Sequence, residues 1–119
     1  MTDPGGKLYD DDAAHPIPTL GSLDMVGRRR DGGVDLMVVV SGPLRADERS
    51  QRRLLRKIEL YLGFIASPDF SADFGPPDPG TTAVVVVIDG QSDDAIFQLL
   101  GRCEPWVREG KATLVVERR

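Results

Sequence analysis

Four arginines, Arg49, Arg52, Arg53 and Arg56, recur at steps of three or four residues, a spacing that sets them on one face of a helix. Such a row neutralises phosphates, and Arg28, Arg29 and Arg30 extend it, which makes this face a candidate nucleic-acid surface. A solvated face is the commoner reading. Glu48 precedes Arg52 by one helical turn, a favourable pair, and no aromatic residue interleaves with the bases as a single-strand platform requires. On that reading Arg53→Ala costs under about 0.5 kcal/mol.

Nucleophilic chemistry has less to work with. His15 is the sole histidine and stands in a Pro- and Gly-rich stretch, so pairing it with a serine or cysteine requires that stretch to fold into a site. Ser41 lacks the Gly-x-Ser-x-Gly elbow, and Cys103 falls on an apolar helical face where a buried, inert thiol is expected. Asp89, Asp93 and Asp94 lie close in sequence, but Asp93 and Asp94 suit the positive end of a helix dipole, and no Cys/His cluster accompanies them. Neither a metal nor a cofactor is expected, and the chain reads as a non-enzyme.

The elements that position these residues follow from two changes of period. Leu23 to Val26 and Val34 to Val40 read as strands, with Asp31-Gly32-Gly33 tolerating the positive φ of a hairpin turn. From Asp47 the apolar residues Leu54, Ile58, Tyr61, Leu62 and Ile65 fall at helical steps, and Pro68 with the Gly75–Gly80 run then predicts a long loop. Ala83 to Ile88 is a third strand. Ser92 as N-cap opens a second helix with Ile96, Leu99, Leu100, Cys103 and Val107 inward, which Pro105 kinks or splits; Ala112 to Val116 is the fourth strand. The fold class is α+β, a ββαβαβ two-layer sandwich with a four-stranded mixed sheet and two helices.

That topology yields two further candidate sites. Ligands of open sheets collect beyond the carboxyl ends of parallel strands, here Ser41, Gly42, Asp89, Gly90, Gln91 and Ser92, where a helix N-terminus accepts a small anion. The same residues are also ordinary turn and cap chemistry. If both crossovers are right-handed, both helices cover one sheet face, and alternation leaves Met37, Val39, Val85, Val87 and Val115 on the other as an interface. A homodimer is the simplest closed solution.

Composition bounds the rest. The 119 residues suit one domain, with 1–21 as a disordered acidic tail rich in Pro and Gly and 22–119 as the folded unit. The net charge of −4 is uneven: residues 1–21 carry −3, residues 22–58 carry +4 and residues 59–119 carry −5. A local excess of +4 is modest for a nucleic-acid domain, so nucleic acid is disfavoured as a partner. The apolar runs fall far short of the roughly 20 residues that span a bilayer, and no membrane contact is expected. The first residues lack the basic and apolar regions of a secretory signal, and one lone cysteine agrees with a reducing compartment, so the cytoplasm is the expected location.

Lys57-Ile58-Glu59-Leu60-Tyr61-Leu62-Gly63-Phe64-Ile65-Ala66-Ser67 resembles a helix of a family of small bacterial domains of unknown function, with the pattern Lys-φ-x-x-Tyr-Leu-x-Phe-Ile-x-Ser, φ being apolar. The resemblance covers about residues 34–119, with Lys57, Tyr61 and Ser67 matching the motif. It implies a fold and no activity. The leading expectation is thus a non-enzymatic protein-interaction module, regulatory or inhibitory toward a protein partner. The alternatives are the arginine-face nucleic-acid binder and the small-molecule or anion site at the strand ends.

Overall fold

Val34–Val39 and Thr82–Ile88 are adjacent parallel strands, and the chain between them must cross over, which the helical stretch after Asp47 accomplishes. The computed structural model describes residues 11–119; the part of the expected acidic tail at 1–10 lies outside the described residues. In chain order the elements are β1 (Met25–Arg28), β2 (Val34–Val39), α1 (Glu48–Ile65), α2 (Pro68–Phe74), β3 (Thr82–Ile88), α3 (Asp94–Glu109) and β4 (Thr113–Arg118). The sheet order is β1-β2-β3-β4, with β1 antiparallel to β2 and the other two pairings parallel. The architecture is α+β, with the ββαβαβ order anticipated from the sequence and one short helix added.

Each boundary has a local cause. The β1–β2 turn closes through Arg29 N–H to the Gly33 carbonyl at 2.7 Å, and Gly32 at φ +90° supplies the left-handed residue. Asp47 caps α1 by accepting from Ser50 N–H at 2.7 Å. The predicted loop after α1 is instead α2: Ser67 is its N-cap, Pro68 occupies the first turn where its missing N–H costs nothing, and Phe70 turns into the core against Phe64. The N-cap of α3 is Asp93, not Ser92. The helix also runs through Pro105, which is exposed, so the bond it removes lies toward solvent.

Both long helices pack on the same sheet face. Leu36, Val38, Val84, Val86 and Leu114 point to that face and share one core with Leu54, Ile58, Tyr61 and Ile65 of α1 and Ile96, Leu100, Cys103 and Val107 of α3. Ala83, Val85 and Val87 form a separate cluster on the opposite face, backed by Met37 and by no helix residue. Right-handed crossovers at α1 and α3 give this one-sided arrangement.

The expected tail is corrected over its second half. Ile17 is only 1% exposed and belongs to the core, and residues 12–24 run as a strap across α1. The strap is fixed by partners far away in sequence: Pro16 carbonyl accepts from Ser41 N–H at 2.9 Å, and Ile17 carbonyl accepts from Arg53 Nε at 3.0 Å. A composition too polar to fold by itself is ordered here by an apolar anchor and borrowed donors.

Candidate functional site

The strand ends come together as the topology requires, but their polar groups are spent on loop tethers. Ser92 Oγ accepts from Leu44 N–H at 2.9 Å, and Asp93 accepts from Ala46 N–H at 2.8 Å and pairs with Arg45. Asp89 closes an Asx turn on Gln91 N–H at 2.7 Å, Gly90 N–H donates to the Arg119 carbonyl, and Ser41 bonds the Pro16 carbonyl. What remains is an open hollow of about 280 Å³ lined by Val39, Val40, Ser41, Gly42, Val87, Ile88, Asp89 and Arg119. Of the six residues named from sequence, Ser41, Gly42 and Asp89 line it, while Gly90, Gln91 and Ser92 do not. Among the described residues no buried side-chain polar atom lacks a partner.

The arginine row disperses in the same way. Arg49 pairs with Asp12 at 2.9 Å, Arg52 pairs with Glu48 at 3.2 Å, and Arg56 is exposed. Arg53, read from sequence as solvated, is 2% exposed beneath the strap, with two nitrogens on the Ile17 carbonyl. The reason is phase: position 53 flanks the apolar stripe at Leu54, and the strap covers that flank. Arg53→Ala is therefore expected to cost about 1–3 kcal/mol in a denaturant titration, because a buried carbonyl loses its donors, rather than the value of a solvated side chain.

A polar network that the sequence reading does not single out gathers on the buried Lys57 and Tyr61. Lys57 Nζ donates to the Thr19 carbonyl (2.9 Å), the Ser22 carbonyl (2.7 Å) and Asp24 Oδ1 (2.9 Å) and also lies 3.0 Å from Thr19 Oγ1. Asp24 Oδ2 accepts from Val39 N–H at 2.9 Å, and Tyr61 Oη accepts from Asp24 N–H while donating to the Met37 carbonyl at 2.6 Å. Burial pushes the Tyr61 phenol well above its ordinary range, which keeps its proton in that bond. The signal was available: Lys57 and Tyr61 are one turn apart, on the same side as Ile58. Ser67, the third matching motif residue, caps α2. Lys57, Tyr61 and Ser67 thus all hold the fold together.

His15, Ser50 and Asp47 also meet. Ile17 N–H donates to His15 Nδ1 at 2.9 Å, which leaves Nε2 as the protonated nitrogen, 2.9 Å from Ser50 Oγ. Ser50 in turn donates to Asp47 Oδ2 at 3.2 Å. The direction of these bonds runs opposite to a serine-activating triad, since the histidine donates to the hydroxyl instead of accepting from it. Cys103 is buried, and burial pushes its thiol up. Among the described residues, no three or more His, Cys, Asp or Glu side chains gather where they could hold a metal.

The fifth candidate is the sheet face without helices. Met25 pairs with Met37, Met37 with Val85, Val39 with Val87 and Val85 with Val115, so all six side chains share that face. Val85 and Val87 on the inner strand are shielded by their neighbours, whereas Met25, Val39 and Val115 are 54%, 37% and 42% exposed. In the sequence Met25 signals only the start of a hairpin strand, so it does not announce this face. Charges sit at the ends of the face and are already paired: Asp35 with Arg29, and Glu117 with Arg119 at 2.9 Å.

No helix is long and apolar enough to cross a membrane among the described residues. Compared with known protein families, curated proteins and solved structures, the chain matches none.

Proposed function

We propose that this chain is a protein-interaction module that pairs with a second copy of itself through the helix-free face of its sheet. The observation that carries the reading is the contiguous apolar surface of Met25, Met37, Val39 and Val115 over Val85 and Val87, with both long helices on the other side. A second copy is the occupant that the charges favour. Asp35 and Glu117 are neutralised within the chain, so two identical faces meet without unpaired like charges, in an isologous pairing that closes. Two such sheets stack with their strands about 30° apart.

Size sets the strength. Four strands about 4.8 Å apart and six residues of about 3.3 Å make a face of roughly 400 Å² per copy, about half of what a standard stable interface buries on each side. The pairing is therefore expected to be weak and reversible. Sedimentation equilibrium across micromolar to millimolar concentration checks this: the mass should rise toward twice the monomer, and Val115→Asp, an exposed edge position, should hold the protein monomeric with its thermal midpoint kept. A monomer throughout that range contradicts the proposal.

A further inference from the structure

The strap carries the one histidine, and that histidine uses both ring nitrogens to hold it. Nδ1 receives Ile17 N–H and Nε2 meets Ser50 Oγ, whose hydroxyl is directed at Asp47. Two residues further on, the Ile17 side chain is in the core and its carbonyl is the acceptor for Arg53. We infer that residues 12–18 are a proton-operated latch, closed on α1 while His15 is neutral and released when it is protonated, which uncovers Arg53 and withdraws Ile17 from the core.

The chemistry is directional. An imidazolium has two donors and no acceptor, so a proton on Nδ1 faces the Ile17 N–H head on and removes the bond between them. The surroundings oppose the charge as well: burial comes first, and Arg53 and Arg49 of α1 add repulsion, against weaker attraction from Asp12 on the strap and Asp47 at the helix cap. These hold His15 below the ordinary imidazole value in the closed form. The released form therefore binds more protons, and the closed form is at full strength above about pH 6.5 and weakens as pH falls through the depressed value. The chain beyond Thr19 stays in place, because its ties to Lys57 and Tyr61 contain no histidine.

Amide hydrogen exchange on the full chain, read by NMR and corrected for the intrinsic rate, tests the latch at two donors. Ile17 N–H faces His15, and Ser41 N–H faces the Pro16 carbonyl. Both should open far more readily than Val86 of the inner strand β3, and their opening should increase severalfold between pH 7.5 and 5.5, with a ceiling of about tenfold set by an unhindered histidine that titrates near 6.5. In His15→Gln the pH dependence should vanish. A change under about twofold, opening only together with Val86, or the same pH dependence in His15→Gln overturns the latch. If His15→Gln does not fold, the His15 ring and the Ile17 amide are followed by chemical shift in the unmodified protein: one shared midpoint supports the latch and two separate midpoints overturn it.

Discussion

Lys57→Ala should lower the stability of the fold by about 2–5 kcal/mol, a large loss for one side chain. Lys57 is fully buried, and its ammonium is the common donor for two backbone carbonyls and for Asp24. Removing it leaves the partly exposed Asp24 carboxylate and two carbonyls without their shared donor, and each of these acceptors that water does not reach costs about 1–3 kcal/mol. Asp24 also accepts from Val39 N–H, so the damage reaches the β1–β2 hairpin. In a thermal scan the loss corresponds to a fall on the order of 10 °C or more. Lys57→Met separates the causes: it refills the channel but restores no donor, and should remain destabilised by at least about 2 kcal/mol. Full recovery in Lys57→Met would assign the effect to packing of the stem.

Ile17→Ala comes next, at about 2–4 kcal/mol in a denaturant titration. The side chain fills a place in the core, and its own backbone carries the bonds from Arg53 and to His15. The value sits toward the low end for a large-to-small core change because the strap can shift to close part of the cavity. A loss under about 0.5 kcal/mol would mean that the strap behaves as the detached tail its composition suggests.

That contrast marks where the sequence is legible. The strands at Val34 and Ala83 are runs of β-branched and aliphatic residues and the stripe of α1 repeats at helical steps, so run and period locate them, and right-handed crossover then dictates a bare sheet face. The strap has no period. One isoleucine among Asp, Pro and Gly does not register in a composition, and the donors that order it stand 36, 25 and 38 residues away at Arg53, Ser41 and Lys57. The helix at Pro68 was hidden for a different reason: proline ends one helix and starts another equally well, and only the Ser67 side chain on Phe70 N–H decides which. At the strand ends Ser41, Gly42 and Asp89 line one hollow, but the sequence does not reveal that Leu44 and Ala46 occupy Ser92 and Asp93. Polar residues near one another in space are as readily consumed by loop anchoring as by a ligand.

The central claim, that the helix-free face meets its own copy, is tested most directly by methyl NMR spectra over a dilution series. The methyl signals of Met25, Met37, Val39 and Val115 should shift together with concentration, fitting one monomer–dimer equilibrium, while those of Ile96 and Val107 beneath α3 stay fixed. Concentration-independent signals on the sheet face, or shifts confined to the helical side, would contradict it.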